Sequence, residues 1–248
     1  MHPISAQNED NPNSLSFIVN SQNAFFGLNA GSFTQELRFR FFQQNRQNYL
    51  FIDIFDGNQF FTVGAYNSKG LFILIQDHPE SFKKNRLTPS EFEDRFFDLL
   101  TDYNMLPEID TKEFSFEKWI IPNSNIIFAD KSGSSFVIYS DDDNFQVIEN
   151  NHPYIGITYQ YPFQTFNKYP NSVTTDTLYE RLLNEIDKTD ENFTEEAGIQ
   201  ILNDLQPPEI GLTSVLISPA DNQVYISVDN NAKEVWRFDI NGGTVETH

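Results

Sequence analysis

The chain contains few side chains that could act as a nucleophile, and the most suggestive is a serine at the start of its first apolar segment. Ser14 opens the stretch "SLSFIVN", whose Phe, Ile and Val predict a β-strand. There is no cysteine, which excludes thiol nucleophiles, disulfides and thiolate metal sites. The histidines form no spaced metal-binding or triad pattern, and we expect neither a metal site nor a cofactor; they are His2, His78, His152 and His248.

The balance of charge restricts the partners. The 248 residues include 16 Lys and Arg against 36 Asp and Glu, so the formal net charge is −20. Such a charge argues against nucleic acid or an anionic membrane as a partner. A substrate with a free carboxylate would also meet an unfavourable average field unless a local basic pocket overcame it. No stretch approaches the roughly 18 consecutive apolar residues of a membrane span.

The order of elements predicts an α+β fold. Segments rich in Phe, Ile, Val and Tyr alternate with polar turns over the first 75 residues, then follow a helix, more strands, two helical segments and final strands. Without strict alternation of strand and helix, this order favours antiparallel sheets with helices packed outside them. We expect one domain over residues 14–240, a leader or disordered segment over residues 1–13 and a C-terminal tail over residues 241–248.

Local signals place individual elements. Thr88, Pro89 and Glu91 form the pattern of an N-cap, a first-turn proline and a capping box, which predicts a helix over residues 91–103. Further helices are expected within residues 175–205. In "YLFIDIF" both faces are largely apolar, so this strand is predicted to be covered on both sides. The start of the chain has neither a basic nor an apolar signal-peptide region, which favours a cytoplasmic location, although a chain already trimmed of a leader would look the same.

The most distinctive motif is "IIFADKSGSSFVIYSDDDNFQVIENN", residues 126–151, which predicts a three-stranded meander. Its order of residues resembles the choloylglycine-hydrolase family of N-terminal-nucleophile amidases, which includes bile salt hydrolases and penicillin V acylases. The segments "VGAYNSKGLFI" and "TSVLISPADNQVYISVDNNAKEVWRFDI" resemble further family segments. The resemblance extends over residues 14–240. It implies an αββα sandwich of two stacked antiparallel sheets with helices on the outer faces.

The resemblance also assigns site residues. The family begins its mature chain with "C-T-x-F", and Ser14 stands here in place of that cysteine; in the following "G-R-N-x-D" pattern, Leu28 replaces the arginine and Gly31 the aspartate. Asn67 matches an asparagine that helps to form the oxyanion hole, so Ser14 and Asn67 are the predicted catalytic residues. The side chains expected to bind substrate in one cleft are Phe26, Asn29, Tyr66, Tyr159, Tyr161 and Phe163.

These replacements weaken the predicted chemistry. In such amidases the free α-amine of the nucleophile is the general base, with an ordinary pKa of roughly 7.7–8.0. Thirteen residues precede Ser14 in this chain, so its nitrogen is an amide without a usable lone pair. We therefore interpret Ser14 as a remnant and the protein as an impaired amidase-like relative that binds a small acyl-amide-like molecule.

Two alternatives remain open at this stage. The first is an active amidase that uses Ser14 after residues 1–13 are removed. The second is a β-rich binding module with no enzymatic role, for which the family resemblance would be misleading. The substrate and the oligomeric state are left open, including the possibility of a homo-oligomer.

Overall fold

A computed structural model describes most of the strands and helices of the chain. The residues described are 15–30, 36–55, 57–77, 88–106, 124–140, 145–149, 154–158, 177–189, 192–205, 213–228, 234–243 and 245–247.

The described strands form two antiparallel sheets of seven strands each. Sheet A has the order β10-β1-β2-β11-β12-β13-β14, and sheet B runs in sequence order from β3 to β9. The strands of sheet A are β1 (Leu15–Asn20), β2 (Ala24–Ala30), β10 (Tyr154–Thr158), β11 (Thr213–Ser218), β12 (Gln223–Ser227), β13 (Val235–Asp239) and β14 (Val245–Thr247). The strands of sheet B are β3 (Leu37–Gln44), β4 (Gln47–Phe55), β5 (Phe60–Asn67), β6 (Leu71–Asp77), β7 (Ser124–Asp130), β8 (Ser135–Ser140) and β9 (Phe145–Glu149).

Three apolar clusters hold four layers together. The inner cluster joins the facing sides of the two sheets, with Phe26 of β2 stacked on Phe72 of β6 at a centroid distance of 5.1 Å. A second cluster packs α1 (Pro89–Asp102) on the outer face of sheet B, and a third packs α2 (Thr177–Thr189) and α3 (Glu195–Asp204) on the outer face of sheet A. The predicted αββα sandwich is confirmed. None of the described helices is long and apolar enough to cross a membrane.

The local predictions explain how the layers form. In β4, Leu50 and Ile52 belong to the inner cluster while Phe51 faces α1, so this strand is covered on both sides as expected. At the start of α1, Thr88 Oγ1 accepts from the Glu91 amide at 3.3 Å and Glu91 accepts from the Thr88 amide at 2.7 Å, which is the predicted capping box. The meander of residues 126–151 forms β7, β8 and β9.

Two strands depart from the expectations. The segment predicted as a C-terminal tail, residues 241–248, contributes β14, because the turn after β13 brings Val245 opposite Phe238. Strand β3 was not among the predicted strands, and its outward face carries Arg38 and Arg40. A strand can carry these two positive charges here because both arginine side chains donate hydrogen bonds to one carboxylate on β4.

That carboxylate is Asp53, which is 1% exposed. Arg40 donates to the two oxygens of Asp53 at 2.7 and 3.0 Å and to the two oxygens of Glu93 in α1 at 2.8 and 3.0 Å. Arg38 and Thr62 also donate to Asp53. Burial alone would raise the pKa of Asp53, but the hydrogen bonds from Arg40, Thr62 and Arg38 outweigh it and hold that pKa below its usual value. The network fastens the edge strand and α1 to sheet B.

Replacing Arg40 tests this network. We expect Arg40→Gln to lower the free energy of unfolding by about 2–3 kcal/mol at pH 7, because Asp53 then keeps only Arg38 and Thr62 as partners. Since the pKa of Asp53 is depressed in the folded protein, its stabilisation is present above about pH 4 and is lost as the pH falls through the folded value. Urea unfolding at pH 7 and pH 3 should therefore show the difference between variant and parent shrinking at pH 3.

The matched control is Arg38→Gln, whose side chain is 45% exposed and should matter less. An equal loss at both pH values for Arg40→Gln would contradict the assigned role of the ion pair.

Candidate functional site

Strand β1 of sheet A lies over sheet B, and the contacts at its two ends define two ends of the sandwich. Near its start, Ser16 Oγ donates to Gln76 Oε1 at 3.2 Å, close to the end of β6. At its other end, Asn20 Nδ2 donates to the carbonyl of Ser132 at 3.4 Å, in the turn between β7 and β8. We call the first the start end and the second the turn end.

A buried polar cluster lies between the sheets at the start end. It consists of Ser16, Gln76 and Asn125, which are 3%, 5% and 3% exposed, and we call it the inner polar cluster. Ser16 shares the inner face of β1 with Ile18, and Asn125 that of β7 with Ile127. Gln76 and Asn125 are direct partners across β6 and β7. The Oδ1 atom of Asn125 is buried with no hydrogen-bond partner in the part of the chain that the structure describes.

The wall beside this cluster is apolar. Ser16 is paired with Leu28, which is 2% exposed and belongs to the inner cluster. The same row of register partners continues across sheet A through Val215 and Ile226 to Trp236, whose side chain is 38% exposed. Thus a hydroxyl stands in a row of register partners that is otherwise built from aliphatic and aromatic residues.

Asn67 lies at the opposite end, where its carboxamide is engaged in structural hydrogen bonds, and its catalytic role stays a prediction. Its Oδ1 accepts from the amides of Lys69 and Leu71 at 3.1 and 3.0 Å, and its Nδ2 donates to the carbonyl of Leu100 at 2.8 Å. Gln76 is five residues beyond Leu71 on β6, which corresponds to about 16 Å along a strand. Asn67 therefore joins the β5–β6 turn to the end of α1, on the helix side of sheet B.

Asn29 also faces a helix layer. Its Nδ2 donates to the carbonyl of Leu202 in α3 at 3.0 Å, and its Oδ1 accepts from Ser214 at 3.1 Å. Because side chains alternate along β2, Leu28 faces the other sheet while Asn29 faces outward. The structure thus places Asn29 toward α3 rather than between the sheets, and its role in substrate binding stays a prediction.

The predicted aromatic wall is only partly described. Phe26 and Tyr66 do belong to one cluster between the sheets, but both are fully buried in it. Burial raises the pKa of Tyr66, so the phenol stays protonated and donates to Asn222 Oδ1 at 2.8 Å, at the turn end. The remaining predicted site residues lie outside the described residues, and their convergence on one cleft stays a prediction; they are Ser14, Tyr159, Tyr161 and Phe163.

Sequence reasoning missed Gln76 and Asn125. A readable signal existed, since Gln76 follows Phe72 and Leu74 at two-residue spacing and Asn125 precedes Ile127 and Ala129 in the same way. A polar residue at a core position of an otherwise apolar strand face marks a site that needs an explanation.

The inner polar cluster can bind but offers no acid or base. It contains one hydroxyl and two carboxamides, none of which titrates near neutral pH. Across the part of the chain that the structure describes, no group of three or more histidine, aspartate or glutamate side chains is arranged to hold a metal ion. The chemistry available from the cluster is therefore hydrogen bonding within apolar walls.

A substitution at Asn67 separates a structural role from a catalytic one. Asn67→Ala should lower the free energy of unfolding by about 2–3 kcal/mol, because it leaves buried amides and a carbonyl without partners. Thermal unfolding should show the loss, whereas exposed Asn23→Ala in the β1–β2 turn should stay within about 0.5 kcal/mol of the parent. A fully stable Asn67→Ala protein would contradict the structural role.

A charge at position 28 tests how apolar the wall is. Leu28→Arg should cost about 3–5 kcal/mol in the free energy of unfolding, because its described neighbours Ser16, Phe26 and Val215 offer no carboxylate. Leu28→Met, which nearly conserves volume, should cost less than about 1.5 kcal/mol. Urea unfolding measures both, and an unchanged midpoint for Leu28→Arg would show that the wall is open to water.

Comparison with known proteins relates this geometry to a fold. No protein-family model and no curated protein sequence matches the chain. Among solved structures, a cysteine-to-alanine mutant of the conjugated bile acid hydrolase from Clostridium perfringens is 14% identical with a TM-score of 0.57, covering 95% of this chain and 96% of its own. An arginine-to-leucine variant of the same enzyme is 12% identical with a TM-score of 0.56, covering 94% and 96%. Penicillin V acylase from Agrobacterium tumefaciens is 10% identical with a TM-score of 0.50, covering 94% and 90%. The chain therefore has the fold of N-terminal-nucleophile hydrolases.

Proposed function

We propose that this protein is a diverged relative of the linear-amide C–N hydrolases that binds an acyl-amide-like molecule and, as the full chain, hydrolyses it negligibly. The fold shared with a bile acid hydrolase and a penicillin V acylase supports the first part. The observation that carries the proposal is the inner polar cluster, a buried set of hydrogen-bonding groups beside the start of β1.

The chemistry of position 14 supports the loss of activity. A serine hydroxyl is far less acidic than a thiol and depends more heavily on a general base. The α-nitrogen of Ser14 is an amide in the full chain, and the inner polar cluster contains no titratable group that could replace it. Within the described part of the inner polar cluster, a hydrolytic step would thus find no proton acceptor.

Leu28 also supports the loss of activity, because this position bears on how the substrate is oriented. By the resemblance, an arginine at this position and an aspartate at position 31 orient the nucleophile and substrate. Positioned charges of this kind contribute several kcal/mol of transition-state stabilisation in comparable sites. Leu28 is instead packed between the sheets at 2% exposure, next to Ser16.

The alternatives differ in what they need. An active amidase needs only removal of residues 1–13, after which Ser14 has a free amine. A binding module unrelated to amidases is not favoured, because two stacked sheets between helix layers are the architecture that the amidase resemblance implied.

Hydrolysis assays with acyl amides, bile-salt conjugates and penicillin V test the proposal. The full chain should show no turnover above that of full-length Ser14→Ala, because both lack a base. A chain cleaved to begin at residue 14 should stay inactive, and so should the cleaved chain with Ser14→Cys alone. Turnover should appear when Leu28→Arg and Gly31→Asp are added, because nucleophile, base and orienting charges are then all present.

Two outcomes would contradict this assignment. Robust turnover by the full chain that Ser14→Ala abolishes would show that Ser14 finds a base elsewhere. Turnover by the cleaved, otherwise unaltered chain would establish the active amidase, with residues 1–13 as the inhibitory element.

A further inference from the structure

We propose that the inner polar cluster recognises a neutral or cationic hydrogen-bond donor, an N–H or O–H group, carried on an apolar body, and that it discriminates against carboxylates. The inference rests on the proposed function in placing the ligand at the start end, and it adds the chemical class of the ligand.

The first step is the unpartnered acceptor. Asn125 Oδ1 is buried and has no hydrogen-bond partner among the described residues, and Asn125 is 3% exposed on the inner face of sheet B. Leaving such an atom unsatisfied lowers the stability of the folded protein. A carboxamide oxygen can only accept, so its complement is a donor.

The second step concerns the hydrogen bonding of the Ser16 hydroxyl. The hydroxyl proton of Ser16 is donated to Gln76 Oε1, so the lone pairs of Ser16 Oγ remain available as acceptors. Ser16 and Asn125 approach Gln76 from different sheets, one through this hydrogen bond and the other as its register partner. An N–H or O–H group entering between the strand ends would thus meet acceptors from both sheets.

The third step is charge. A carboxylate would bring a further negative charge to a chain with a net charge of −20. Arg38 and Arg40, both on β3 of sheet B, are already bound on its outer face: Arg40 to Asp53 and Glu93, and Arg38 to Asp53. Desolvating a carboxylate without a paired cation is costly, whereas an amide or hydroxyl needs only hydrogen bonds.

The inner polar cluster lies close to the ends of three strands. Ser16 is the second residue of β1, Asn125 the second of β7, and Gln76 the last but one of β6. The register partner of Ser16 on β2 is Leu28, which favours an apolar group next to the donor. The ligand class is therefore an amphipathic molecule whose polar end donates.

Calorimetric titration of the full chain with three eight-carbon probes tests the inference. Octanamide carries a neutral donor, octanoate a carboxylate, and methyl octanoate neither. We expect octanamide to bind at least about 10-fold more tightly than either of the others, the factor that roughly one net hydrogen bond provides.

The decisive variant is Asn125→Leu, which replaces the acceptor with an apolar group of similar size. It should raise the thermal midpoint, because a buried unsatisfied group is removed, and it should abolish the preference for octanamide. Asn125→Ala provides the binding comparison if the leucine variant does not fold. Asn203→Leu, at another buried asparagine on the helix side of sheet A, should leave the preference unchanged.

Each contrary result overturns the inference. Tighter binding of octanoate would show that the site takes anions. A thermal midpoint of Asn125→Leu that is unchanged or lower, together with no binding of octanamide to the parent, would show that a structural water alone satisfies Asn125. Because these titrations need no turnover, hydrolysis by the full chain would refute the proposed function and leave the ligand preference intact.

Discussion

The packing of β1 against sheet B is the contact on which the rest of the structure depends. Ser16 reaches Gln76 at one end of the strand, and Asn20 reaches the carbonyl of Ser132 at the other. At the second contact the approach is so close that a Cβ on Gly133 would lie 2.0 Å from Asn20 Cγ, and Gly133 also has a φ of +83°. Only glycine satisfies both constraints. Because both ends of β1 are held against sheet B, the inner side chains of β1 pack against those of sheet B in the apolar inner cluster.

The direction of a side chain from its strand decides what each asparagine does. Asn29 and Asn67 match the resembling motifs by residue type, yet both face helices and have their amide groups engaged there. Asn125 matches no motif, yet it faces the other sheet at the start end with an unpartnered oxygen. Neighbouring positions of a strand face opposite sides of the sheet, so a sequence can match a motif by residue type while the matching side chain points away from the expected site.

The sequence predicted the architecture well because the architecture depends on periodicity and on caps. The capping box at Thr88 and the apolar faces of β4 follow from local pattern alone, and both formed as expected. Strand β3 was missed although Leu37, Phe39 and Phe41 alternate with arginines, since the reason that those charges are tolerated is a carboxylate on the next strand. The inner polar cluster could not be predicted as a cluster, because Ser16, Gln76 and Asn125 meet only when two sheets stack. Contacts between sheets are set by tertiary packing, which a single sequence does not encode in any local pattern.

Stability and binding make opposite demands at the start end. Leu28 extends an aliphatic row through Val215 to Ile226, and a packed row of this kind stabilises the sandwich without any charged group. Asn125 at the same end does the reverse, because a buried oxygen without a partner lowers stability and a leucine of similar size would raise it. Proteins keep locally destabilising groups mainly where function requires them. At one end of the sandwich, Leu28 thus adds to stability while Asn125 lowers it, and the binding role proposed for the inner polar cluster would explain why such an acceptor is present.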